Sequence, residues 1–206
     1  MMSEAYLFAV TEAASPEGLI QACLASAHAQ PAWLDEVHWI GAGPAPLEGK
    51  ALFTWPDSPL LAHFTLQTAL RKLAAGASDL LLVGQSTGSG ATALLLGAPV
   101  VVGRWNLPPL ASLTPLACTR PQASEFLAAA AACLPEGEAP AYLGLSGLAR
   151  QAAQAAFPTA RCLDGEAGDF HRVWQLVQAL ERSKSARALL LSAGPSAGLG
   201  TLVERL

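Results

Sequence analysis

The chain has 206 residues, of which 52% are hydrophobic and only 14% charged, and its formal net charge is −4. A chain of this length can bury a full core, and its few, scattered basic residues argue against partners such as nucleic acid or an anionic membrane. No apolar run reaches the roughly 18 residues of a membrane span, and the N-terminus has no signal-like segment. We therefore expect a cytoplasmic protein.

Short apolar runs alternate with helical patterns along the first half of the chain. One helix opens at Ser15-Pro16-Glu17, a cap residue followed by a first-turn proline. A second helix over 59–75 places Leu66, Ala69, Leu70 and Leu73 inward and Gln67 outward. The predicted strands are Tyr6–Val10, Val37–Ile40, Ala51–Thr54, Asp79–Val83 and Ala91–Leu96, with Val100–Val102 as a candidate extension of the fifth.

The second half follows the same order. Its predicted helices span 122–134, 147–156 and 169–183, and the last has a polar stripe that includes His171. Its predicted strands are Leu116–Thr119, Ala141–Leu145, Arg161–Leu163, Arg187–Ser192 and Thr201–Glu204. The proline-rich stretch between the halves, RWNLPPLASLTP at 104–115, is predicted to be a linker.

The end of each half carries nearly the same sequence. Residues 80–94 are LLLVGQSTGSGATAL and residues 189–203 are LLLSAGPSAGLGTLV. Each predicts two adjacent strands joined by a glycine-rich turn, which favours an antiparallel pair. We interpret the chain as a duplicated α/β unit in one domain, with halves 1–103 and 116–206, where a loop at Gly41–Lys50 replaces the second helix of the first half.

The four cysteines, Cys23, Cys118, Cys133 and Cys162, are widely separated in sequence, so no CxxC motif is present. Their apolar surroundings in predicted helices and strands indicate small buried side chains. We therefore expect no metal site and no bound cofactor.

Three segments in this order resemble the thiolase superfamily, the condensing enzymes. They are GLIQACLASAHAQPAWLDEVHWIGAG from Gly18, LQTALRKLAAGASDLLLVGQS from Leu66, and GEAGDFHRVWQLVQALERSKSARALLLSAGPSAGLG from Gly165. The resemblance covers nearly the whole chain. It implies duplicated βαβαβαββ halves that form one five-layered α/β/α/β/α domain with pseudo-two-fold symmetry.

The resemblance also implies a nucleophilic cysteine at the start of the helix after the third strand, where the helix dipole lowers the thiol pKa. That position falls near Pro59, and the neighbouring candidates are Asp57, Ser58 and His63. The family's oxyanion donor would fall near Glu166, which cannot donate when ionised. Ordinary roles, a helix cap for Ser58-Pro59 and a packed or surface role for His63, are favoured, so no catalytic residue is expected.

We therefore expect a non-catalytic thiolase-like protein that is a structural or regulatory partner in fatty acid or polyketide metabolism. It would form a homodimer, or a heterodimer with a condensing enzyme, through the third strand, with an acyl carrier protein as a further candidate partner. One alternative is an acyltransferase or thioester hydrolase with Ser58 as nucleophile and His63 as base. A second is an apolar-ligand binder whose pocket includes Gly194, Ser196 and Gly198.

Overall fold

The computed structural model describes residues 4–58, 60–116, 123–134, 139–163, 168–194 and 197–206. Within these ranges the first half contains five strands and three helices, with a 3₁₀ turn at Pro31–Trp33. The strands are β1 (Ala5–Ala13), β2 (Glu36–Ile40), β3 (Ala51–Trp55), β4 (Leu80–Thr87) and β5 (Gly90–Gly97), and the helices are α1 (Leu19–Ser26), α2 (Leu61–Ala74) and α3 (Val100–Trp105).

The second half again contains five strands and three helices among its described residues. The strands are β6 (Ala111–Pro115), β7 (Tyr142–Ser146), β8 (Arg161–Cys162), β9 (Arg187–Ala193) and β10 (Gly198–Arg205), and the helices are α4 (Ala123–Ala132), α5 (Arg150–Ala156) and α6 (Asp169–Ser183). Most predicted elements of both halves are present, with shifted ends, apart from the two differences given below. The predicted strand Leu116–Thr119 lies, beyond Leu116, outside the described residues.

The strands form one mixed sheet in the order β3-β2-β4-β5-β1-β6-β10-β9-β7-β8. Read outward from the β1–β6 junction, each half has the same arrangement of strands. In each half the hairpin (β4–β5 or β9–β10) is antiparallel, whereas the outer strands pair in parallel. The predicted duplication thus appears as two halves of equal topology that meet at β1 and β6.

Three hydrophobic clusters fill the spaces between the layers of helices and strands. One lies under α1 on the outer face of the first half, and another lies under α4 and α5 on the outer face of the second. The central cluster contains apolar residues of both α2 and α6 and of strands from both halves. Together these clusters give the predicted α/β/α/β/α layering, with α2 and α6 in the middle layer.

The position of α2 in the middle layer explains why the prediction for Gln67 was wrong. Gln67 was expected to face outward, yet it is only 1% exposed. Because α2 is covered on one side by its own half and on the other by the second half, Gln67 is buried, whereas Arg71 near the end of the helix is exposed as the polar stripe predicted. The Gln67 amide satisfies its burial by donating to the Gly200 carbonyl at 2.7 Å.

Two elements between the halves differ from the prediction. The segment predicted as a linker contains β6, which pairs with β1 and β10 and so joins the two halves. Val100–Val102 was predicted as a strand extension but begins helix α3. Pro99 precedes it, and proline suits the start of a helix but cannot donate to a strand ladder. Among the described residues, no helix is long and apolar enough to cross a membrane.

Candidate functional site

The start of α2 is the position to which the resemblance assigned the nucleophile. That position was placed near Pro59, which lies outside the described residues. The next residue, Leu60, is the N-cap of α2; it has a left-handed backbone, φ 69°, and provides no side-chain cap for the helix. Leucine rarely adopts this conformation, which costs about 1 kcal/mol or more, so packing must hold it in place. The Leu60 side chain lies against Gly194 so closely that a Cβ added to Gly194 would be 2.8 Å from Leu60 Cδ1.

The cap of α2 comes instead from the other half of the molecule. The Asp169 carboxyl, at the start of α6, accepts a hydrogen bond from the backbone N–H of His63 in the first turn of α2. Ser146 and Ser192 donate to the same carboxyl. Backbone N–H groups at a helix start would otherwise favour a bound anion or a thiolate. Here an internal carboxyl group lies at that position.

His63 lies directly behind this carboxyl and is fully buried. Its Nδ1 is 2.7 Å from the Ser192 hydroxyl and its Nε2 is 2.8 Å from the Thr201 hydroxyl. Because Ser192 donates to Asp169, His63 Nδ1–H donates to Ser192 and Nε2 accepts from Thr201. A neutral imidazole satisfies both bonds, and the resulting chain of hydrogen bonds links the two halves.

Burial shifts the pKa values of the two titratable groups in this hydrogen-bond network, His63 and Asp169, in opposite directions. Burial lowers the pKa of His63 from its usual 6.5 to about 3. Burial also raises the pKa of Asp169, against the lowering effect of its hydrogen bonds and of nearby Arg172. Burial therefore disfavours the charged form of each group, as expected in a low-dielectric interior.

Two cavities lie at the turn between β4 and β5, and the second of them is also lined by Ser146 and Asp169 of this network. One has a volume of about 510 Å³ and the other about 500 Å³. Gln85, Thr87, Ser89 and Gly168 line both of them. We call the two cavities together the hairpin cleft. The first is also lined by Glu12, Ala13, Ala14, Gly90, Ala91, Thr92 and His171, and the second by Asp57, Ser58, Leu60, Ala62, Ser146 and Asp169.

The structure brings together only some of the residues proposed from the sequence. Asp57 and Ser58 line the second cavity. His63 does not pair with Ser58 as the hydrolase alternative required, because both of its ring nitrogens are bonded to other hydroxyls. Pro59 and Glu166 lie outside the described residues.

The proposed apolar ligand pocket is not formed by its described members. Gly194 contacts the Leu60 side chain, and a Cβ on Gly198 would be 2.3 Å from the Phe126 ring, so neither Cα faces open space. The third member, Ser196, lies outside the described residues.

Three residues of the cleft were missed or misassigned from the sequence. Ser146 ends β7 and bonds Asp169, and Gln85 lies near the end of β4, but nothing local marked either residue. His171 was assigned to a solvated stripe, yet it pairs with Glu12 and lines the first cavity. Polar residues at strand ends, opposite a helix start, were the available signal for Ser146 and Gln85.

An apolar surface lies apart from the cleft, at the free edge of the sheet. Phe53 and Trp55 of β3 are 42% and 44% exposed, and Phe64 of α2 is 53% exposed. We call these three residues the β3–α2 patch. Beside them is an apolar cavity of about 120 Å³ lined in part by Trp55, Leu61 and Phe64. An edge strand with exposed aromatic residues is a ready site for pairing with another chain.

Solved structures show what fold this arrangement represents. Human mitochondrial 3-ketoacyl-CoA thiolase in complex with CoA superposes with a TM-score of 0.73 at 10% identity, over 99% of this chain and 98% of that one. The chain has the thiolase fold. OleA from Xanthomonas campestris, with bound acetamide, matches with a TM-score of 0.66 at 14% identity, over 99% of this chain and 100% of that chain.

A third match is a chain from a complex of a type II polyketide synthase acyl-carrier protein with its ketosynthase. Its TM-score is 0.69 at 8% identity, over 99% of this chain and 100% of that chain. No family model and no curated protein matches the sequence. The likeness therefore establishes the thiolase fold, and the chemistry has to be argued from the residues.

Proposed function

We propose that this thiolase-fold protein is a non-catalytic partner subunit in fatty acid or polyketide metabolism, with a structural or regulatory role. The observation that carries the proposal is the start of α2. The family resemblance implies a nucleophile near Pro59, where the sequence has no cysteine, and the Asp169 carboxyl takes a helix N–H group of the first turn. A proline or leucine side chain cannot be acylated, and the N–H group that Asp169 occupies is not free to stabilise a developing oxyanion.

The geometry gives less support to the hydrolase alternative. Ser58 has no described imidazole poised to accept its proton, since His63 is bonded to Ser192 and Thr201. A neutral histidine whose pKa is lowered to about 3 is also a poor general base near neutral pH.

Incubation of the purified protein with acetyl-CoA, malonyl-CoA or an acylated carrier protein is expected to leave its intact mass unchanged. Condensation and thioester hydrolysis by this fold require a covalent acyl-enzyme, and the start of α2 offers no group to form one. Mass spectrometry of the intact protein checks this. An acyl adduct that maps to Ser58 and disappears in Ser58→Ala would contradict the proposal and support the hydrolase alternative.

Leu60→Cys is expected to create a thiol that iodoacetamide alkylates at pH 7, because residue 60 lines the second cavity and begins a 14-residue helix. Peptide mapping reports the modified position. Cys23 is the internal control, because burial raises the pKa of its thiol to about 12 and it should stay unmodified in the native protein. Failure to modify position 60 in the folded variant would mean that the cavity is closed to reagents.

The partner is proposed to bind along β3. This strand is the outermost one of the first half, and its sequence ALFTW has no charged residue. Natural edge strands usually carry charges or proline within them to prevent pairing. Phe53 is the central residue of the strand, so a two-fold axis through it would pair β3 with its copy in antiparallel register. A condensing enzyme with the same fold could present an equivalent edge.

An acyl carrier protein is a second proposed partner. One structural neighbour is a ketosynthase in complex with its acyl-carrier protein, which supports a similar association for this fold. In a heterodimer, the active site of the condensing enzyme would carry out the reaction, and this chain would be the non-catalytic subunit.

Phe53→Lys is expected to convert a dimer into a monomer, because it places a charge at the centre of the paired edge. Light scattering of the wild type and the variant at micromolar concentration measures the change. Val100→Lys is the matched control, since Val100 is a 50% exposed apolar residue of α3 rather than β3. A monomeric wild type would refute homodimerisation, and co-purification with a condensing enzyme, lost in Phe53→Lys, would then test the heterodimer.

A further inference from the structure

We draw no further inference here: the strongest candidate, the apolar cavity of about 120 Å³ beside the β3–α2 patch, belongs to the surface already proposed to bind a partner subunit, and nothing among the described residues shows what covers it.

Discussion

Substituting alanine for His63 is expected to lower the free energy of unfolding by about 3–5 kcal/mol. The imidazole is fully buried, and each ring nitrogen is within 2.8 Å of a hydroxyl, on Ser192 or on Thr201. The substitution leaves a cavity in the middle layer, removes the partner of the buried Thr201 hydroxyl, and takes one hydrogen bond from Ser192, which keeps its bond to Asp169. A buried hydroxyl without a partner costs about 1–3 kcal/mol. Urea unfolding followed by circular dichroism measures the change.

Two further variants separate the hydrogen bonds from the packing. Thr201→Val keeps the shape of the side chain but removes the donor to His63 Nε2, and we expect a loss of about 1–2 kcal/mol. His28→Asn is the control, because His28 is exposed and has a left-handed backbone that asparagine tolerates. A loss below about 1 kcal/mol in His63→Ala would contradict the view that this network holds the halves together.

The location of this network explains why such a substitution should matter beyond its immediate contacts. His63 belongs to the first half, whereas Ser192, Thr201 and Asp169 belong to the second. In a thiolase fold with a working nucleophile, the start of α2 has to remain open to substrate. Here Leu60 lines the second cavity at this helix start and Asp169 accepts from a first-turn N–H group, so the polar residues behind it bond the two halves together. The structure at the start of α2 thus supports the proposed non-catalytic role.

Much of the fold could be predicted from the sequence, because buried strands and amphipathic helices leave local hydrophobic patterns. The duplicated hairpins at 80–94 and 189–203 gave the pseudo-symmetry directly. The missed strand β6 shows the limit of this approach. Its five residues, ASLTP, have little strand signal, and their pairing with β1 and β10 depends on residues far away in the chain. Pairing with distant strands cannot be predicted from the residues of a short segment alone.

The candidate site was less predictable, for a related reason. Asp57 and Ser58 were placed near it because the resemblance fixed the start of α2. The partners of His63 lie 129 and 138 residues away, so no local pattern could identify them. Gln67 and His63 are polar residues on α2, which both halves cover. A helical pattern with one apolar face predicts that the polar face meets solvent, and this does not hold for a helix in the middle layer.

Acidification is expected to destabilise the Asp169→Asn variant by about 1 kcal/mol between pH 6 and pH 5. The His63 pKa falls from 6.5 in the unfolded chain to about 3 in the folded protein, so the unfolded state binds more protons in this range. Stability from this histidine is therefore fully present above pH 6.5 and is lost as the pH falls toward 3. Ordinary carboxyl groups are ionised in both states above pH 5 and contribute little to the slope.

Asp169 has the opposite sign in the wild-type protein. Burial raises its folded pKa above the usual 3.8, so its contribution is present at low pH and is lost as the pH rises through the folded value. In the wild type the contributions of the two groups to the pH dependence of stability have opposite signs, and Asp169→Asn removes the contribution of the carboxyl so that the slope reports His63. Urea unfolding at pH 6 and pH 5 measures both slopes, and the double variant His63→Leu with Asp169→Asn should lose the dependence. A double variant as steep as Asp169→Asn would mean that a different group titrates. In that case the hydrogen-bond chain between the halves would not be the origin of the acid sensitivity.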